Sequence, residues 1–144
     1  MILLPGATVE GRTIKESGFR SLFDAAVVGL SYLASQRVTP GYGGGMATAK
    51  AALECDARAL AHFAGEHGVR VNIVSPGAYA SRAAKSIGAI DQMIEASAAR
   101  SPLRRPIDAD EVADACLFMV SPLARGITGD ILHVDAGVHA MNAV

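Results

Sequence analysis

The stretch from Met46 to Val74, MATAKAALECDARALAHFAGEHGVRVNIV, decides the fold. Its first part repeats apolar residues at Met46, Ala49, Leu53, Ala57, Leu60 and Ala64, a spacing that lays them along one helix face. Glu66-His67-Gly68 closes it, glycine being the residue that most readily takes the left-handed turn at a helix end. Val69-Arg70-Val71-Asn72-Ile73-Val74 follows at once, alternating and rich in β-branched residues, and reads as a strand that breaks at Ser75-Pro76-Gly77. A long helix feeding directly into a short strand is one arm of a crossover unit in a parallel sheet.

Upstream, Ala25-Ala26-Val27-Val28-Gly29-Leu30 is a short apolar run that predicts a buried strand, and residues 31–45 predict a loop around Pro40-Gly41-Tyr42-Gly43-Gly44-Gly45. Met1 to Asp24 shows no sustained period and reads as a loop or weak helix, a segment apart from the unit spanning residues 25–144. Downstream, residues 82–100 look helical but carry Gly88 in their middle. Asp108 followed by Glu111 is a capping-box pattern, starting a helix that continues through Val112 to about Val120 and stops near Ser121-Pro122. Ile131-Leu132-His133-Val134 is a last strand, ending at Asp135-Ala136-Gly137. Strand, helix, strand, helix, strand requires right-handed crossovers, so the fold class is α/β with a parallel sheet of three strands.

Composition narrows the function. Apolar residues make up 51% of the 144, enough for a packed core, and the net charge of −1 leaves no basic footprint for nucleic acid. No apolar run approaches the ~20 residues that span a bilayer, and Met1 to Gly11 lacks a secretory pattern, so no membrane role is expected. Cys55 and Cys116 stand far apart without C-x-x-C spacing and read as two buried, reduced thiols. His62, His67, His133 and His139 form no zinc pattern, and no metal is expected.

Chemistry concentrates in Tyr42-Gly43-Gly44-Gly45-Met46-Ala47-Thr48-Ala49-Lys50. A tyrosine stands at the mouth of a Gly-rich loop, and a lysine lies one turn into the helix that follows. A phenol can donate to a developing oxyanion, and a nearby ammonium favours that charge. Tyr32 sits at the carboxyl end of the first strand, the edge where open parallel sheets bind ligands, and the loop Ser75 to Ser81 opens at the same edge. On residue types alone two readings stand: a catalytic constellation, or a pair of surface groups beside a half-buried core tyrosine.

Residues Leu30 to Met46 resemble the active-site segment of NADH-dependent enoyl-acyl-carrier-protein reductases, a divergent branch of the short-chain dehydrogenase/reductase superfamily. The similarity continues through Ala49 to Glu54, Val69 to Asn72, Ser81 to Gly88, Ile127 to Gly129 and Val134-Asp135, covering roughly residues 27–144. Seven residues between Tyr42 and Lys50 match the plant, apicomplexan and chlamydial form, where the commoner bacterial form has six and ordinary superfamily members three.

The resemblance implies a partial Rossmann-like, doubly wound sheet: the last three strands, with their helices, of a seven-stranded one. It implies that Tyr42 hydrogen-bonds the thioester carbonyl of an enoyl substrate carried on acyl carrier protein, that Lys50 holds the nicotinamide ribose, and that Tyr32 lines the acyl site. By the same likeness the backbone at Ala78 and Tyr79 meets the nicotinamide carboxamide of NADH, Ser81 approaches the pyrophosphate, and residues 82–100 are mobile substrate-binding helices. Homo-oligomers, tetramers in the family, and either a bacterial cytoplasm or a plastid stroma are implied as well.

Three departures stand out. Ser75-Pro76-Gly77-Ala78 replaces Ser-Ala-Gly-Pro, Tyr79 replaces an aliphatic residue and is expected to narrow the nicotinamide pocket, and Ala136 stands where Asn or Gly is frequent. The Gly-rich pyrophosphate turn is not found upstream of Ala25, so the nucleotide half of the sheet is not expected in these residues. A second reading therefore accompanies the reductase: a truncated, non-catalytic product, or an assembly partner of a full-length reductase.

Overall fold

Strands β1 (Ala26–Leu30), β2 (Arg70–Pro76) and β3 (Ile131–Val134) form one parallel sheet in the order β1-β2-β3. The structure is a computed structural model that describes residues 25–81, 84 and 90–141. Val28 pairs with Asn72, and Ser75 with His133, so odd-numbered residues of all three strands share one face of the sheet. The expected three-stranded α/β order is the observed one. The expectations for Met1 to Asp24 and for the break at Gly88 lie outside the described residues.

Helices cover both faces. Helix α1 (Met46–Gly65) packs Leu53, Ala57 and Ala61 on the odd face, against Val27, Val71, Ile73 and Ile131. Helix α3 (Ala109–Val120) packs Val112 and Met119 on the even face, against Val28 and Val74, with Ile107 and Ala124 completing that cluster. Between them in the chain, α2 (Ile90–Arg100) leads through Ser101 to the start of α3. Gly29 lets α1 and β2 close on β1, because a Cβ there would lie 2.6 Å from Ile73 Cδ1. The capping box forms as the sequence predicts: Glu111 N donates to Asp108 Oδ1 at 2.9 Å, and Asp108 N to Glu111 Oε2 at 3.1 Å.

Three expectations need correction. The inward face of α1 is rotated about one residue from the predicted stripe: Ala49 and Leu60 are exposed, while Glu54 and Ala61 are buried. Cys55 is exposed, since it follows Glu54 by about 100° around the helix and turns away from the sheet. Strand β2 continues through Ser75 and Pro76 instead of stopping at Val74. Arg70 N donates toward β1 and Gly77 N toward β3, so the missing N–H of Pro76 points past the end of β1, where the ladder has no use for it.

The alternation in β2 also does not separate core from solvent, because all seven residues are buried. Its polar members are satisfied internally. Asn72 Nδ2 donates to Ile127 O at 2.8 Å, and Asn72 Oδ1 accepts from Asp130 N at 3.1 Å. The Arg70 guanidinium donates to the carbonyls of Met119, Val120, Ser121 and Ala124, at the carboxyl end of α3. Met119 and Val120 belong to the last turn of that helix, whose carbonyls have no intrahelical donor, while the Ser121 and Ala124 carbonyls also accept from Ala124 N and Ile127 N. Among the described residues, no helix is long and apolar enough to cross a membrane.

Candidate functional site

The site lies at the carboxyl edge of the sheet. After Leu30 the chain turns through Tyr32, whose backbone is extended (φ −159°, ψ 150°), into a short 3-10 turn at Leu33–Ser35. The Gly-rich loop then delivers the chain to α1, with Gly45 at the helix N-cap and φ of 84°, a left-handed conformation that a side chain would strain. Tyr42 thus stands on a tight loop and Lys50 just inside the helix. The rings of Tyr32 and Tyr42 meet at a centroid distance of 4.7 Å, tilted by 49°. Lys50 Nζ donates to Leu30 O at 2.7 Å, which ties α1 to the last residue of β1.

A cleft of about 640 Å³ opens here, and Tyr32, Tyr42, Lys50, Ala78, Tyr79 and Ser81 all line it. The structure therefore brings together every site residue that the sequence singled out. A neighbouring lobe of about 710 Å³ lies on the other side of Tyr32 and shares Tyr32, Gly77, Ala78 and Met93 with the first. Arg100 lines this second lobe. Tyr79 lines the cleft and also packs on the even-face core beside Val28 and Val74. Ser81 Oγ accepts from Ala84 N at 3.0 Å, a bond that does not use its hydroxyl proton.

Burial raises the pKa of both phenols above the usual 10.0. For Tyr32 the neighbouring Tyr42 adds to the rise, and the positive charge of Arg100 opposes it. Both groups are accordingly neutral hydrogen-bond donors at physiological pH. Two phenols and an ammonium around one cleft can polarise a carbonyl oxygen and stabilise the negative charge that develops on it.

Sequence reading missed Glu54, Met93 and Arg100. Met93 and Arg100 come from α2, and nothing in their spacing marks them as facing Tyr32. Glu54 left a signal in its position, one helical turn beyond Lys50 on the same face. It lies outside the apolar stripe that the sequence lays along the helix face.

The geometry gathers two phenols and an ammonium around one cleft at the carboxyl edge of a parallel α/β sheet, and comparison with known proteins gives the chain a family. The family model described as "Enoyl-(Acyl carrier protein) reductase" matches residues 13–139. The chain is 53% identical over 117 residues to the chloroplastic NADH enoyl-acyl-carrier-protein reductase of Arabidopsis thaliana, covering 81% of this chain and 30% of that protein. It is 40% identical over 115 residues to the Bacillus cereus NADH enoyl-acyl-carrier-protein reductase, covering 80% and 44%. The crystal structure of the Plasmodium berghei enoyl-acyl-carrier-protein reductase with triclosan superposes with a TM-score of 0.79 at 41% identity, over 82% of this chain and 42% of that one. The chain belongs to the enoyl-(acyl carrier protein) reductase family. It spans 30% to 44% of the length of these two curated relatives.

Proposed function

We propose that residues 25–144 form the catalytic half of an NADH-dependent reductase acting on trans-2-enoyl thioesters carried by acyl carrier protein, with residues 1–24 outside that unit. One observation carries the reading: Tyr32, Tyr42 and Lys50 converge on a single cleft at the carboxyl edge of the sheet. In this reading Tyr42 donates its hydroxyl proton as a hydrogen bond to the thioester carbonyl oxygen and stabilises the enolate. Lys50 places positive charge beside that oxygen, and Tyr32 walls the acyl side. Bound NADH supplies the hydride that reduces the β-carbon.

Residues of the cleft fit a nicotinamide cofactor. Among the described residues the Lys50 ammonium spends one donor on Leu30 O, and its other two suit ribose hydroxyls. The Ser81 hydroxyl suits a phosphate oxygen, and the backbone at Ala78 and Tyr79 borders the same space. With Ala78 in place of the family's proline, that position keeps a backbone N–H to offer a carboxamide.

The test is a hybrid in which residues 27–144 replace the matching segment of the Arabidopsis relative. It is expected to oxidise NADH in the presence of a crotonyl thioester, and Y42F in the hybrid is expected to lower kcat by about 10²- to 10³-fold. A folded but inactive hybrid, or a Y42F hybrid with full activity, overturns the reading.

A second reading is assembly, either as a homo-oligomer such as the family's tetramer or as a partner of a full-length reductase. The exposed Leu60 and Phe63 favour it, beside a groove of about 450 Å³ that Val27, Leu53 and Ala57 help to line. Size-exclusion chromatography with and without a full-length relative distinguishes the two, and a stable monomer in both runs removes the assembly reading. The same proposal puts the protein in a plastid stroma or a bacterial cytoplasm, which the chloroplastic and bacterial origins of its relatives support.

A further inference from the structure

Glu54 is an acid buried to 5% exposure on the inner face of α1, where an aliphatic residue would be the ordinary choice. Taking a carboxylate out of water is costly unless donors replace the lost hydration. Its partners come from one place, the turn that holds Tyr32. Glu54 Oε1 accepts from Ser31 Oγ, and from Ser35 Oγ at 2.5 Å, while Gln36 Nε2 approaches Oε2 at 3.5 Å. Ser31 and Ser35 flank the tyrosine. Ser31 N is also fixed to Val74 O at 2.9 Å, and Ser35 N to Tyr32 O at 3.0 Å.

Lys50 grips the same stretch from one helical turn away, through Leu30 O. Helix α1 therefore holds the chain at residues 30, 31 and 35, on both sides of Tyr32. Between those anchors Tyr32 is extended, and its ring meets Tyr42, which hangs from the loop at the start of the same helix. One rigid helix thus fixes both phenols: Tyr42 through the chain leading into it, and Tyr32 through Lys50 and Glu54.

We propose that Glu54 is the positioning residue that sets Tyr32 against Tyr42, acting through the hydroxyls of Ser31 and Ser35. Its bearing on carbonyl polarisation rests on the reductase reading above, but the positioning itself is tested without substrate. The sequence has no tryptophan and three tyrosines, all lining the cleft, so near-ultraviolet circular dichroism of the full chain reads the tyrosine environment directly.

E54A is expected to lose most of the tyrosine band while keeping the far-ultraviolet helix signal. E54Q, which retains an Oε1 acceptor for both hydroxyls, is expected to restore the band. S31A/S35A, which removes the donors and leaves the acid, is expected to reproduce the loss, and it stands in for E54A should that variant fail to fold. In a Y32F background E54A is expected to change the remaining band little, which a general loosening of the core would not produce.

A full band in folded E54A or in S31A/S35A overturns the proposal, as does an E54Q spectrum no better than that of E54A. If the bands behave as expected and the hybrid enzyme is inactive, the positioning stands and the reductase reading falls.

Discussion

The Arg70 guanidinium donates to the carbonyl of Met119 at 2.7 Å, joining the first residue of β2 to the end of α3. Ala124 O accepts from the same nitrogen at 2.9 Å, and Ser121 O from its neighbour at 3.2 Å. A planar, forked cation suits a cluster of carbonyls that carries the negative end of a helix dipole. R70M removes every guanidinium donor from this buried cluster, so it is expected to cost about 3 kcal/mol. R70K keeps the charge but not the fork and is expected to cost about half of that. Urea midpoints of the three proteins check the order.

Tyr32 and Tyr42 are expected to ionise late. Burial raises both pKa values, and for Tyr32 the raised folded value means that its stabilising contribution is present below the unfolded value near 10.0 and drains as pH rises through the folded one. In Y79F, which leaves only these two tyrosines, the phenolate absorbance is expected to rise with a midpoint above 10.0. Arg100 opposes the shift at Tyr32, so R100A is expected to move that titration higher still. A midpoint unchanged by R100A would separate Arg100 from Tyr32.

His133 gives the acid side. Its ring stacks on His139 at 4.3 Å, and burial first, then His139, lowers its pKa below the usual 6.5. In the unfolded chain the ring takes a proton as pH falls through 6.5, while the folded ring resists until its lower value is reached. Stability from this group is therefore full above about 6.5 and declines below it. H133Q is expected to lose less stability than the parent protein between about pH 7.5 and about pH 5.5, measured as urea midpoints.

Gly137 turns the chain after β3 with φ of 89°, and a Cβ there would lie 2.8 Å from Pro102 Cγ. G137A adds left-handed strain to a steric conflict with a stiff ring, so a cost of about 2–4 kcal/mol is expected. The same turn brings Gly137 N to Asp135 Oδ1 at 2.9 Å. Thermal melting of G137A against the parent reads the loss.

Periodicity and breakers were enough to place β1, α1, α3 and β3 near their true limits, because each is bounded by a local signal such as Gly45 or Asp108. What escaped was tertiary. Nothing local shows that the polar residues of β2 are buried, since Arg70 and Asn72 find their partners some 50 residues away in the chain. The N–H direction that makes Pro76 harmless depends on where β1 ends. At the site, Tyr32, Tyr42 and Lys50 were legible because loop and helix-start chemistry marks them, and Ala78, Tyr79 and Ser81 through family likeness. Glu54 was not, because its donors come from a turn that only the folded sheet brings to it.

Complete burial of β2 bears on how the protein comes together. That strand pairs with β1 over Arg70–Val74 and with β3 over Ile73–Pro76, and its far end carries the Ala78–Ser81 wall of the cleft. Its amides have no route to solvent short of opening the whole sheet, and the slowest hydrogen exchange is expected there. The cleft can therefore have no half-formed version: any fluctuation that frees β2 dissolves the candidate site together with the core.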